Sequence, residues 1–467
     1  MSKVKEKQTI QDLPNLMQHN FLEQMRSTVR SLYNVALESA DPYKAVINHV
    51  RKKGNVLEID GQKYDLLRYK NIYVVGSGKA TAGMAKAIED ILTKREQGDL
   101  ITDGQISIGY GCGVGIELKK IKINESGHPI PDDASIAGAK KIKELLNKTT
   151  ENDLVIYLAT GGGSAILAMP TEGITLDELQ TTTQLLLKSG ATLQEINYVR
   201  KHLDMVKGGQ LARDAYPSTL ITLVLSDVVN DPIDMISSGP TVPDPHTFED
   251  AYEVLKKYNL LDKVPESVKK RIERGLRGEI PDTPKENEPW FERTKSIMVG
   301  TNAMAVSAMG EKVKEMGFDT LIIKEPVTGE ARNVAIEHAR NAIKMAMNRK
   351  TPLFILSGGE TTVTIKGNGA GGRNQEYTLA FALEMEKQGF ENFVCLSCGT
   401  DGIDNIREAA GAMIDGTSLK KARKIGLSPE QLLNNNDSYH FHEPIGTLIK
   451  TGPTGTNVND VQIVVVW

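Results

Sequence analysis

The sequence predicts an α/β fold built as two domains. Three observations carry this. Apolar runs rich in Val, Ile and Leu alternate with helical patterns along most of the chain; six of those runs end in a small or acidic cluster; and 467 residues exceed what one ordinary hydrophobic core holds. The six runs are VVGSGKA, LATGGGSA, LVLSDVV, MVGTNA, LSGGET and SCGTDG. Open parallel sheets bind ligands beyond the carboxyl ends of their strands, where glycine lets backbone amides approach a phosphate closely. Six such ends in one chain point to a ligand-handling enzyme.

Taken in order, the segment from about Phe21 to Arg51 reads as amphipathic helix. NIYVVGSGKA reads as a strand entering a glycine turn, followed by helical ATAGMAKAIEDIL. A strand in IKINESGHPIP, a helix in IAGAKKIKELL and a strand in DLVIYLATGGGSAI come next. The stretch EINYVRKHLDMVKGGQLA has helical spacing, with Arg200, Asp204 and Lys207 on one face as a solvated ion pair in preference to a second phosphate contact, and it leads to the buried-type strand TLITLVLSDVV. Between Glu266 and Arg293 the chain is dense in Pro, Glu, Lys and Arg, the composition of a domain connection, so the expected domains are residues 1–285 and 286–467. Beyond it SIMVGTNA, DTLIIKEP, PLFILSGGE, TVTIKG, FVCLSCGTDG, TLIKTGPTG and VQIVVVW are strand candidates, with helices such as NQEYTLAFALEMEKQ between them.

Hydrophobic residues make up 40% and charged residues 25%, the balance of a globular protein. With 56 Lys plus Arg against 60 Asp plus Glu, a net charge of −4 gives no general attraction to nucleic acid or to an anionic membrane. The opening residues are polar and lack the apolar core of a secretory signal, and no apolar run spans a bilayer, so the cytoplasm is the expected compartment. Cys395 and Cys398 form a CxxC inside a strand pattern that points them to opposite faces, and His440 and His442 read as strand residues; neither pair suggests a metal.

The candidate chemistry lies in the strand-end loops. Gly76, Gly78 and Gly83 give GxGxxxxG, not the dinucleotide fingerprint, and no loop reads GxxxxGK[ST]. Lys79 falls where the helix after its glycine turn begins, an end at which a cation opposes the helix dipole and which folding alone does not favour. Arg373 repeats the situation after Gly367, Gly369, Gly371 and Gly372. A basic side chain beside free helix-start amides makes an anion site suited to a carboxylate or to a phosphoryl group in transfer. Gly76, Ser77 and Gly78, then Gly161, Gly162, Gly163 and Ser164, then Gly358, Gly359 and Glu360 are the expected nucleotide-binding loops. Asp227 and Asp231 in SDVVNDP offer carboxylates to hold a magnesium ion, and Asp227 is also placed to take a proton from a substrate hydroxyl. Asp401 is a comparable acid. The competing structural readings are a surface cation beside a carboxylate for Lys79 and Arg373, and a turn before Pro232 for Asp231.

Taken together, GSGKATAGMA, ESGHPIPD, ATGGGSA, NYVRKHLDMVKGGQLA, LSDVVNDPIDMISSGPTVPD, SGGETTVTIKGNGAGGRNQE and TGPTGTNVND resemble, in order over most of the chain, the class II glycerate 2-kinase family, also called MOFRL. The resemblance implies an N-terminal Rossmann-like doubly wound domain, a C-terminal α/β domain and an active site in the cleft between them. It implies ATP and a divalent cation, expected to be Mg2+, and phosphorylation of D-glycerate at its 2-hydroxyl, with Lys79 and Arg373 binding the substrate anion and stabilising the transferring phosphoryl group; Asp227, from its place in the strand-end loop, completes the expected catalytic set. The expected partners are glycerate and ATP, with no nucleic acid or membrane and with a homo-oligomer open. Asn230 and Gln210 depart from the family's usual Gly and Arg, and Asn405–Glu408 replaces its usual turn. The alternatives are a hydroxypyruvate reductase, which needs a nicotinamide site, and a non-catalytic sensor of a sugar phosphate or acid.

Overall fold

The computed structural model describes residues 15–93, 99–347, 349, 351–406 and 408–467. Residues 1–14 of the polar opening stretch, and Arg407 in the turn that departs from the family pattern, lie outside the described residues. The chain divides into two units, Asp41–Gly300 and a second made of the stretch ending at Ala40 together with Thr301–Trp467.

In the first unit the sheet strands are β1 (Asn71–Ser77), β2 (Asp103–Gly109), β3 (Ile121–Ser126), β4 (Asp153–Thr160), β5 (Thr219–Leu225) and β6 (Thr294–Gly300). All neighbours are parallel, in the spatial order β3-β2-β1-β4-β5-β6. This is the doubly wound dinucleotide-fold order, whose direction of winding reverses between β1 and β4. Every residue of β4 is buried, as a continuous apolar run sandwiched by helices requires. Tyr73, Val75, Val155 and Tyr157 pack with Ala139 and Ile142 of the helix Asp133–Leu146, whose start is closed by an Asp132–Ser135 capping box. A second core joins the helices Leu176–Lys188, Leu193–His202, Phe248–Lys257 and Glu266–Leu276 through Leu186, Val199, Phe248, Leu255, Val268 and Ile272.

That second core corrects the expected domain connection. The polar stretch after Glu266 is an amphipathic helix whose Val268 and Ile272 are buried, and the chain returns from it to add β6 beside β5. The units therefore separate after Gly300, not at 285/286, and the N-terminal helix belongs with the later residues. Pro42 starts a new helix, Pro42–His49, behind the N-cap Asp41, so the single opening helix is two helices in different units. EINYVRKHLDMVKGGQLA is likewise two helices, Leu193–His202 and Gln210–Ala215, parted by a turn. Asp204 and Lys207 sit in that turn as a buried pair at 2.7 Å, not a solvated one, with Lys207 also donating to the Leu167 carbonyl.

The second unit holds β7 (Asp319–Ile322), β8 (Val327–Glu330), β9 (Leu353–Thr362), β10 (Phe393–Gly399), β11 (Gly411–Asp415), β12 (Leu448–Ile449) and β13 (Asp460–Val466). Their order is β7-β9-β13-β10-β11-β12, with β8 pairing the far half of β9. The sheet is mixed, because β13 inserts antiparallel between β9 and β10. Helices Ala331–Ala346 and Arg373–Lys387 cover one core through an alanine stripe, Tyr377 and Phe381. The helix Asn15–Ala40 packs on this unit, with Tyr33 donating to the Gly399 carbonyl at 2.7 Å and Arg26 paired to Asp415. The YHFH segment is helical, Ser438–His442, not a strand. Cys395 and Cys398 are buried free thiols in β10.

Candidate functional site

The ends of β1, β4 and β5 meet at the point where the sheet order reverses. Strand β1 runs buried to Ser77, and the helix Thr81–Leu92 starts two residues past Lys79. Gly78 has φ +130, and a Cβ there would lie 2.1 Å from the Thr160 hydroxyl, so only glycine lets this turn lie against the end of β4. The Lys79 amide donates to the Gly161 carbonyl at 2.9 Å and the Ala80 amide to the Thr160 hydroxyl at 3.1 Å, which locks the two loops together. Gly76 and Ser77 lie inside the strand and are buried, Ser77 bonded to the Tyr157 hydroxyl at 2.7 Å.

The loop Gly161–Ser164 follows β4, with Gly162 at φ +84. A Cβ on Gly161 would meet the Asp227 carboxylate at 1.8 Å, and one on Gly163 would meet the Ser237 hydroxyl at 2.2 Å, so both glycines are demanded by close neighbours. Ser164 bonds Ser238 at 2.7 Å, and Ser238 donates to Asn197 at 2.8 Å, which ties the loop to the second core. Asp227 thus reaches the same strand-end surface as Lys79. Asn230 and Asp231 both have positive φ, 67 and 52, a conformation glycine adopts without cost and Asn and Asp tolerate better than other side chains. Burial raises the Asp231 carboxyl above its usual range, opposed by a bond from Ser226.

Lys79 is exposed and makes no ion pair among the described residues, so the competing reading of a carboxylate-paired surface cation fails for it. Its Cε and the His128 ring both lie within 3.2 Å of where a Cβ on Gly162 would stand. His128, in ESGHPIPD at the end of β3, carries no signal in its residue type; its signal is that loop's position at a fourth strand end. Desolvation, and then the Lys79 ammonium, hold its imidazole down at about 4.

Arg373 does begin its helix, Arg373–Lys387, but in a different setting. Its guanidinium grips buried Asp460 through Nε at 2.6 Å and Nη2 at 2.9 Å, and its Nη1 lies 2.9 Å from Glu360. The helix-start amides of Asn374 and Gln375 are taken by Asp404 at 3.1 and 3.0 Å. The helix start at Arg373 therefore offers no free amides of Asn374 and Gln375 to an anion, contrary to the expectation from its sequence: a buried carboxylate already occupies that N-terminus. Burial, and then Asp460, raise Asp404 to about 6. Burial also raises Glu360, against the opposing pull of Arg373. Gly358, Gly359 and Glu360 are not a loop: β9 continues through them to Thr362, because β13 and β8 pair with that stretch. A Cβ on Gly358 would clash with Asn302 at 1.9 Å and one on Gly359 with Val327 at 2.3 Å, so these glycines serve sheet packing.

Among the described residues, Asp234, Asp244 and His246 gather ligand atoms within 4.8 Å of one another. The buried Lys201 ammonium already bridges Asp234 and Asp244 at 3.1 Å each, so this group carries its own cation. Asp227 and Asp231 stand outside it and present hard oxygen donors of the kind Mg2+ takes.

A doubly wound sheet whose reversal point carries glycine loops and an unpaired lysine is the architecture of an α/β enzyme of the phosphate-handling class. Residues 28–273 match the family described as a domain of unknown function, DUF4147, and residues 353–460 match the MOFRL family. The chain is 42% identical over 439 residues to a protein of Pyrococcus horikoshii named glycerate 2-kinase, covering 93% of this chain and 96% of that one. It is 40% identical over 400 residues to the D-glycerate 2-kinase of Thermotoga maritima, covering 85% and 91%. The solved structure of a glycerate kinase from Thermotoga maritima superposes with a TM-score of 0.83 at 36% identity, covering 95% of this chain and all of the other. The chain belongs to the class II glycerate 2-kinase (MOFRL) family.

Proposed function

We propose that the protein transfers the terminal phosphoryl group of ATP to the 2-hydroxyl of D-glycerate, giving 2-phosphoglycerate and ADP. The observation that carries this reading is Lys79: an exposed, unpaired cation held beside the Gly161–Ser164 loop, in a chain two of whose near full-length relatives are named glycerate 2-kinases. Phosphoryl transfer needs positioning and charge stabilisation more than covalent chemistry. The strand-end loops of the first unit supply amides and the Lys79 ammonium for the anion. Mg2+ would neutralise nucleotide phosphate charge when bound, and Asp227 and Asp231 would be its oxygen donors. Arg373 offers its Nη1 edge, since its partner there, Glu360, is half-exposed and raised by burial above the usual carboxylate range, while Asp460 is fully buried. The working compartment is the cytoplasm; no helix among the described residues is long and apolar enough to cross a membrane.

The reductase reading is disfavoured by the same sheet. A nicotinamide fold places an acid near the end of its second strand for the ribose, and β2 here runs out through Gly109 into Tyr110 and Gly111. The deciding experiment is phosphorus NMR on the purified protein with ATP, magnesium and D-glycerate. A 2-phosphoglycerate resonance growing with ADP is expected. A 3-phosphoglycerate resonance, or NAD(P)H oxidation by hydroxypyruvate without ATP, overturns the assignment.

A further inference from the structure

We propose that His128 is the base that takes the proton from the acceptor hydroxyl during phosphoryl transfer, an inference that rests on the phosphotransferase reading above. The first ground is hydrogen bonding. Seven histidines have described side chains, and six of them commit a ring nitrogen to the protein. His49 bonds the Ala45 carbonyl, His202 bonds Tyr198 and Asp282, and His246 bonds Asp244. His338 bonds Tyr377, His440 bonds Asp437, and His442 bonds Thr447 and Gln375. His128 alone among them makes no such bond, so its nitrogens are available to a ligand.

The second ground is position. The His128 Cδ2 and Nε2 stand 3.1 and 3.2 Å from the point a Cβ on Gly162 would occupy, and the Lys79 Cε stands 3.2 Å from that same point. Imidazole and ammonium therefore flank one glycine of the loop proposed to hold the anion. The backbone before the ring is fixed as well: Asp132, which caps the following helix, also accepts from the Gly127 amide. A ring held on a pinned turn and left unbonded is pre-placed for a small polar group that enters beside Lys79.

The third ground is protonation. An imidazole held down at about 4 is neutral near pH 7 and able to accept a proton. Part of that depression comes from Lys79, and phosphate anions drawn to Lys79 offset its charge, which raises the basicity of His128 when the donor is in place. The step then balances. The hydroxyl proton passes to a ring nitrogen of His128, and the hydroxyl oxygen forms a bond to the terminal phosphorus. The bond from that phosphorus to the bridging oxygen breaks with its electron pair, ADP leaves, and the imidazolium returns its proton to water.

Three proteins test this side by side: wild type, His128→Gln, which keeps a hydrogen-bonding group but accepts no proton, and His128→Gly. For His128→Gln the expected result is a fall in kcat of roughly 100-fold, with the KM for glycerate changed less than about threefold and the melting temperature unchanged. In His128→Gly, added imidazole should restore at least about a tenth of the lost rate, an effect a purely structural role does not produce. A wild-type protein that forms no ADP with glycerate overturns the phosphotransferase reading and this inference with it. An active wild type with His128→Gln within about threefold of it overturns the base assignment alone, as does a folded His128→Gly that imidazole fails to rescue.

Discussion

Lys79 and Arg373 look alike in the sequence, each a cation after a run of glycine at a helix start, and the structure separates them by what surrounds the charge. Lys79 gives up no ion pair when replaced, so Lys79→Met should lower turnover at least tenfold while leaving the melting temperature within about a degree, measured by steady-state assay and calorimetry. Arg373→Met removes the partner of buried Asp460 and should cost about 3 to 5 kcal/mol in denaturant unfolding as well as activity. Equal stability in the two variants contradicts the contrast. Buried titratable groups set the response to acid. His442 donates to the Gln375 carbonyl, bonds the Thr447 hydroxyl, and is held by burial at about 4 against 6.5 unfolded. The unfolded chain binds a proton that the folded one refuses between those values. Stability from His442 is therefore complete above pH 6.5 and lost as pH falls through 4. Asp404 has the opposite sign: its carboxyl is raised to about 6 from 3.8, so the folded state's preference for the neutral acid is complete below pH 3.8 and gone above 6. His442→Gln should flatten the acid limb of the melting-temperature profile between pH 6.5 and 4, and a profile parallel to wild type removes His442 from that account.

The glycine loops divide by what each glycine avoids. At Gly78 and Gly161 the neighbour is another strand end of the same surface, whereas at Gly358 and Gly359 it is Asn302 at a helix start and Val327 of the paired strand β8. Composition cannot separate these cases, because a glycine that admits a ligand and one that admits a strand are spelled alike. The helix Arg373–Lys387 shows a related limit: its N-terminus looks open to an anion in sequence, yet Asp404, thirty residues on, fills it. Asp404→Ala should leave the Asn374 and Gln375 amides and the Asn374 side-chain donor without an acceptor, with Gln375 Nε2 keeping the residue-404 carbonyl, and cost about 2 kcal/mol or more by urea unfolding. A loss under half a kcal/mol would show that the cap is not what closes this helix. The polar stretch after Glu266 hides its helix for a simpler reason. An amphipathic helix that buries only Val268 and Ile272 has the composition of a linker, and only its partners Phe248 and Leu255 reveal the buried face.

The chain does not divide where its composition changes. The helix Asn15–Ala40 belongs with the unit that forms after Thr301, held by Tyr33 on the Gly399 carbonyl, by the Arg26–Asp415 pair, and by Met25, Val29 and Leu32 in full burial. Removing residues 1–40 should accelerate hydrogen exchange in β10 and β13 while leaving β1, β4 and β5 protected, read by mass spectrometry; matching changes in both sheets contradict the division. The α/β alternation, five of the six strand ends as turns, and the placement of Lys79 at a helix start were legible in the sequence, because strand burial, helix periodicity and glycine turns are local properties. The doubly wound form of the first domain is implied only by family resemblance, and its 3-2-1-4-5-6 strand order emerges from the structure, since hydrophobic pattern names strands without naming their neighbours. Which cation stays unpaired, which carboxylate fills a helix start and which histidine keeps its nitrogens free were decided by the tertiary structure alone. Each depends on partners tens to hundreds of residues away, and a charge or hydrogen bond acts over a few ångströms of space, whatever the distance along the chain.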